Sequence, residues 1–447
     1  MGRIAKLPYR VPSMGEIEAT PWNGRRVASL FAGCGGSSLG YRLAGFRVAW
    51  ANEFIDAAAD VYALNARAGT VIDRRDVRDL KPEDLLDAAG LAAGELDVLD
   101  GSPPCASFST AGRRSLTWGK VRKYSDTTQR SDDLFFEYAR LLRGVKPKAF
   151  VAENVSGLVK GVSKGYFIEI LRELKSCGYR VAVKLLDAQW LGVPQARLRA
   201  IFVGVREDLA VEPRHPAPLA FRYSVRDACP WLGSLEGANG FNRHAYGDAA
   251  LPAATIQAQR TLAARDATLR GGNKAPFDAK GKTLSLDRPL PTVMGGDTLG
   301  LAPFQFEVVE PPNISRFAIG KEAMKLAPGQ ASDKYLNLVR ANADAPCPTV
   351  TAAGGEPGIA SVIHPSEPRK FTIAELKRIC AFPDDFRLTG TYAQQWERLG
   401  RAVPPLMMRA VAVEVAAALD AAEGAPARGR ARSGARRDRA ARRSTSG

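Results

Sequence analysis

Arg26-Val27-Ala28-Ser29-Leu30-Phe31-Ala32-Gly33-Cys34-Gly35-Gly36-Ser37-Ser38-Leu39-Gly40 is the stretch on which the fold turns. Arg26 to Phe31 reads as a buried strand, and the glycines that follow let the backbone turn sharply and approach a ligand. A helical stretch through Leu43 comes next, and its first turn offers free N–H groups to an anion. A second strand, Phe46 to Ala51, ends at Asn52-Glu53-Phe54. Glu53 stands twenty residues past Gly33, the offset at which an acidic side chain reaches ribose hydroxyls. Strand, glycine turn, helix, strand and acid make an adenosine half-site in an α/β sheet. A solvated carboxylate at a strand end is the plainer alternative.

The same grammar recurs downstream. A third strand ends near Ile72, and Asp76-Val77 follow it where an adenine edge and face would lie. Leu96-Asp97-Val98-Leu99-Asp100 reads as a further buried strand, which runs into Gly101-Ser102-Pro103-Pro104-Cys105. Two consecutive prolines stiffen that loop, and loops at the carboxyl ends of parallel strands are where open α/β sheets hold ligands. Cys105 is then either a nucleophile, active as its thiolate, or a small hydrophobe packed under the turn. Ser109–Arg130 is a long loop carrying Arg113, Arg114, Lys120, Arg122, Lys123 and Arg130, able to close over a phosphate backbone. Ser131-Asp132-Asp133 caps a helix over Leu134–Val145.

Lys148 to Ala152 is another buried strand, and it delivers Glu153 to the sheet edge that holds Cys105. A carboxyl shielded from water there would keep its proton longer and serve as an acid. A helix over Tyr166–Cys177 leads to two last strands, Arg180–Leu186 and Arg199–Val205. In the connection Gln195-Ala196-Arg197-Leu198-Arg199, alternation puts Arg197 and Arg199 on one side of an extended chain. That suits a polar ring edge or a phosphate, and it also suits a surface salt bridge. At this point the half-site fits a nicotinamide dinucleotide or S-adenosylmethionine, with Ser38 in the place of the third dinucleotide glycine.

Length and composition set the bounds. At 447 residues the chain predicts two or more domains, and its 45% apolar content is that of an ordinary globular protein. Six scattered cysteines without a Cys-x-x-Cys pair, and three histidines, suggest neither a disulfide framework nor a zinc site, so no metal is expected. The N-terminus shows no apolar core for a signal peptide and no stretch is expected to span a bilayer, which points to a reducing cytoplasm. Of the net charge of +16, residues 425–447 hold +7, from eight arginines against one aspartate. A basic body fits a polyanion partner, since Lys and Arg release nucleic-acid counterions, although solubility alone would account for the excess equally well.

Beyond Arg206 the βα alternation stops. Residues 207–365 are rich in loops, Pro and Gly, with a recurring phrase at Pro252–Ile256, Pro289–Val293 and Pro346–Val350 that reads as a turn feeding a short strand. Thr372 and Glu375 form a capping box at the start of a helix. Gly400-Arg401-Ala402-Val403-Pro404-Pro405 leads into a final helix, Leu406–Leu419, too continuously apolar for a surface helix. The tail after Gly424 lacks the apolar content to fold.

The ordered blocks Ser29–Gly40, Glu53, Gly101–Cys105, Ala152–Val155, Gln195-x-Arg197-x-Arg199 and Gly400-x-Ala402–Pro405 resemble the DNA (cytosine-5) methyltransferase family. The likeness covers most of 26–206 and 366–420. It implies a doubly wound, mostly parallel α/β sheet of the S-adenosylmethionine-dependent methyltransferase fold. A smaller, loop-rich, β-containing target-recognition domain is inserted before the C-terminal helix. The expected division is a lead-in at 1–23, a catalytic domain at 24–206 and 366–424, target recognition at 207–365 and a disordered tail at 425–447. The resemblance implies S-adenosylmethionine over the glycine loop (Phe31, Gly33), with Glu53 on the ribose, Asp76 and Val77 at the adenine, and Gly35 and Phe54 also among the cofactor-binding residues. Pro104 and Val403 flank the donor. It implies a flipped cytosine in duplex DNA, attacked at C6 by Cys105, held at N3 by Glu153 and at its carbonyl by Arg199, with Arg197 and Gln195 in support. A monomer is expected, working either beside a cognate restriction endonuclease or alone. Transfer to a structured RNA, or a dead DNA-binding regulator, are the competing readings. Two positions depart from the family pattern: Ser29 stands where Asp is usual, and Arg401 where Asn is usual.

Overall fold

The computed structural model describes residues 6–104, 122–124, 127–129, 134–159, 164–233, 269–271, 299–301 and 311–424. Cys105, most of the basic loop, the recurring phrases at 252–256 and 289–293, and the arginine-rich tail lie outside the described residues.

Seven strands form the main sheet: β1 (Arg26–Leu30), β2 (Arg47–Asn52), β3 (Val71–Asp73), β4 (Val98–Gly101), β5 (Ala149–Val155), β6 (Tyr179–Asp187) and β7 (Leu198–Arg206). Their order is β3-β2-β1-β4-β5-β7-β6, with β7 alone reversed against its neighbours. The chain runs outward from β1 to β3, then returns to place β4 on the other side of β1. That reversal is the switch point at which such sheets open a ligand crevice.

Both faces of the inner strands β1, β4, β5 and β7 are buried, alternate residues pointing to opposite sides. Ala28, Leu30, Leu99, Phe150, Ala152 and Phe202 pack on one side against α4 (Pro82–Ala89), α5 (Leu134–Val145) and α6 (Lys164–Ser176). Val27, Val98, Ala149, Val151, Ile201 and Val203 pack on the other against Tyr41 of α2 (Gly36–Leu43) and the last helix, α9 (Pro405–Gly424). Between these helices in sequence lie α3 (Asp56–Asn65), α7 (Ile373–Ile379) and α8 (Tyr392–Arg401), and a short α1 (Met14–Glu18) precedes the sheet.

Three sequence expectations change. The lead-in is not wholly irregular, because Ser13 and Glu16 form a capping box that starts α1 and buries Ile17. The stretch before the final helix is itself helical: Thr391 and Gln394 cap α8, which ends at Arg401 and gives way to α9 at Pro405. The stretch Tyr392–Gly424 is long and apolar enough to cross a membrane by length and composition. Its Met407, Met408, Val411, Val415 and Leu419 are nonetheless spent on the protein core.

Candidate active site

The carboxyl ends of β1, β2, β4 and β5 surround a cavity of about 340 Å³, the size of a small-molecule site. One half is built from backbone. Phe31 takes a left-handed φ of +53°, a strain of about 1–2 kcal/mol for a residue with a Cβ, and its carbonyl accepts from the Ser102 hydroxyl at 3.1 Å. Gly36 must be glycine, since a Cβ there would stand 2.3 Å from the Val403 carbonyl oxygen. The glycine turn is tied to the acid that the spacing predicted: the Gly33 N–H donates to Glu53 Oε2 at 2.7 Å and the Ile55 N–H to Oε1 at 2.8 Å.

Glu53 is buried, and burial lifts its pKa above the ordinary glutamate value against the pull of those two bonds and of the Arg398 and Arg401 cations. Each carboxylate oxygen keeps a lone pair for a ligand hydroxyl. Phe54 and Val77 join Phe31 in the lining, and Pro104 and Val403 close it. Asp76 lines the cavity too, held in place by the Arg78 N–H at 3.0 Å and by the Arg78 guanidinium. Apolar walls around one buried acceptor fit a nucleoside-bearing donor. Gly35, between Gly33 and Gly36 of the lining, has the Tyr62 ring beside it, and its φ of +96° caps α2.

The other half is built from side chains. Glu153 Oε1 lies 2.7 Å from Arg199 Nε, both side chains nearly buried. The carboxyl expected to stand in a dry pocket is therefore ion-paired. Arg197 also lines the cavity, but its guanidinium donates to the carbonyls of Gly400 (2.9 Å), Val350 (3.3 Å) and Arg401 (3.3 Å). Alternation does bring the two arginines to one cavity, yet Arg197 spends these donors on holding three backbone segments together. Gln195 does similar work, donating to Cys380 Sγ at 3.2 Å and accepting from the Val350 N–H at 3.3 Å.

Pro104, the last described residue before Cys105, sits at the lip between the two halves. Sequence reasoning missed three residues here. Asn154 Nδ2 donates to the Pro103 carbonyl at 3.2 Å, tying the proline loop to the strand that carries Glu153. Thr349 lines the cavity and donates to the Ala196 carbonyl at 2.6 Å; its place in the third recurring phrase was the available signal. Arg398 lines the cavity from α8, a helix the sequence reading had passed over.

Comparison with known proteins gives the family of the chain. The profile of C-5 cytosine-specific DNA methylases matches residues 25–417. Type II methyltransferase M.XorII of Xanthomonas oryzae is 30% identical over 87% of this chain and 84% of its own length. Type II methyltransferase M.NgoFVII of Neisseria gonorrhoeae is 28% identical over 86% and 84%. Among solved structures, a prophage-encoded DNA modification methyltransferase of E. coli superposes with a TM-score of 0.59 at 20% identity, over 89% of this chain and all of that one. That structural likeness shows the shared methyltransferase fold. The chain belongs to the C-5 cytosine-specific DNA methylase family and is a DNA cytosine-5 methyltransferase.

Proposed function

We propose that the protein methylates C5 of a cytosine flipped out of a specific double-stranded DNA site, with S-adenosylmethionine as donor and a covalent Cys105–C6 adduct on the way. One observation carries this reading: a buried acceptor on a glycine turn and the Glu153–Arg199 pair share one cavity, at the end of the strand that leads to Cys105. The reacting carbon is shut inside the base stack, so the nucleotide must leave the duplex to reach such a cavity. Arg199 takes the cytosine carbonyl, and Glu153 turns from Arg199 to N3. Glu153 takes up a proton from solvent as it leaves Arg199. The Cys105 thiolate pair forms the bond to C6, the C5=C6 π pair shifts through C4 to N3, and N3 takes the proton from Glu153, leaving C5 as an enamine carbon able to attack. The bound donor supplies an electrophilic methyl group to that carbon. Water takes the C5 proton, the C–H pair re-forms the C5–C6 double bond and expels the Cys105 thiolate, and N3 returns its proton to Glu153.

Glu53 holds the donor's ribose, with Phe31, Gly33, Phe54, Asp76 and Val77 around its nucleoside and Pro104 and Val403 beside it. Arg197 and Gln195 position Arg199 through the backbone they fix. Residues 207–365 read the target site. A duplex carrying 5-fluorocytosine at its target positions tests this directly, because fluorine cannot leave as the proton does. With donor present, the wild type should give an adduct that survives denaturation, and Cys105→Ser should give none while still binding the duplex. No adduct, or methyl transfer to tRNA without transfer to duplex DNA, would overturn the reading.

A further inference from the structure

Asp100 ends up buried near the tip of β4, outside the cavity lining, and the proposed reaction gives it nothing to do. A buried carboxylate is costly unless well partnered, and none of the groups that act on it most strongly is a cation. Its Oδ2 accepts from two hydroxyls at once, Ser29 at 2.9 Å and Ser37 at 2.7 Å. Ser29 is its register partner on β1. Ser37 belongs to the first turn of α2 and lines the cavity. Two residues after Asp100, the Ser102 hydroxyl donates to Phe31, which follows β1. The three hydrogen bonds link β1, β4 and α2, and these elements carry both the glycine turn and the proline loop.

We propose that Asp100 is a positioning residue for donor binding, its carboxylate clamping the first turn of α2 to the tips of β1 and β4. A negative charge at that place also faces the positive end of the helix. The inference rests on the reading of this cavity as the methyl-donor site. Burial pushes the Asp100 carboxyl up to about 6, with Tyr41, Tyr138 and Glu153 the titratable groups around it. A carboxyl whose folded pKa exceeds its unfolded value opposes folding above that folded value. The charge is therefore kept against stability, which a purely structural contact would not require.

The test is equilibrium binding of S-adenosylhomocysteine to the full chain near neutral pH, alongside thermal melting. Asp100→Asn should melt no lower than wild type yet bind about tenfold more weakly, having lost a charged acceptor and a charge at a helix end. The double variant Ser29→Asp with Asp100→Ser moves the carboxylate to its register partner and should recover most of the affinity. Unchanged affinity in Asp100→Asn, or loss that follows a fall in Tm with no recovery in the double variant, would overturn the proposal. If the wild type itself does not bind S-adenosylhomocysteine, it is the donor-site reading that fails.

Discussion

The two halves of the cavity are made differently. Around Glu53 the partners are backbone N–H groups of Gly33 and Ile55, placed by a turn that spends strain at Phe31 and close packing at Gly36. Around Glu153 the partner is another side chain, Arg199, reached across the seam between β5 and the reversed β7. Backbone contacts cannot be exchanged without moving the chain. A side-chain ion pair can, provided the newcomer replaces most of what is lost, and attraction between charges at such range is about 4 kcal/mol at an effective dielectric of 20. In the proposed reaction the donor half only has to be filled, whereas the base half has to trade partners. The contrast between a fixed half and an exchangeable half is thus what the chemistry asks for.

The largest expected effect breaks the exchangeable half. Glu153→Gln keeps the size of the side chain and an oxygen that can accept from Arg199, but removes the proton it would share with the base. Single-turnover methyl transfer should slow by about 10²–10⁴, the usual worth of general acid–base catalysis, while duplex binding and donor affinity stay within about threefold. If the chemical step is unchanged, Glu153 is only the anchor of Arg199, and this half is as static as the other.

The asymmetry also explains what could be read from the chain. Gly33 and Glu53 lie in one βαβ unit, so their contact follows from a local rule of spacing, and the structure places them 2.7 Å apart. The strands and α5 were legible for the same reason: buried runs are written in a few neighbouring residues. Arg197 was not. Its partners are carbonyls at 350, 400 and 401, and nothing in an alternating pair of arginines says that one will bind backbone 153 to 204 residues away. The missed helix α8 is a different failure. Thr391 and Gln394 form its capping box, and Tyr392, Trp396 and Leu399 mark one buried face at helical spacing. That signal is local and runs into the Gly400–Pro405 motif, whose prolines break the helix at Arg401.

A smaller effect is expected in the fixed half. Glu53→Gln presents an amide N–H to one of two backbone donors, so donor affinity should fall by about tenfold, the cost of setting a donor against a buried donor. Methyl transfer at saturating donor should change little. The sign of the pH dependence follows from burial. Because the pKa of Glu53 is raised, its carboxylate is lost at a higher pH than an exposed glutamate's as the solution is acidified. Donor affinity should weaken along that limb in the wild type. Asp100 titrates nearby, being pushed up to about 6, so the informative quantity is the difference between the wild-type and Glu53→Gln profiles. Identical profiles would mean that Glu53 does not touch the donor.

Arg401→Asn should have the smallest effect, and it sharpens the contrast most. Arg401 ends α8 and pairs with Glu397 one turn back, at 2.8 Å from Nε to Oε1. Glu397 also faces Arg398, at 3.6 Å. The Arg401 charge reaches the cavity as one of the cations that hold the pKa of Glu53 down. Removing it should let burial raise Glu53 further, moving the acid limb of donor affinity to higher pH. Well above that limb the carboxylate is ionised either way, and affinity should change by less than about threefold, well under 1 kcal/mol. A tenfold loss at alkaline pH would carry a different message. It would mean that the guanidinium itself grips the donor, in which case the donor half also depends on a side chain that can let go.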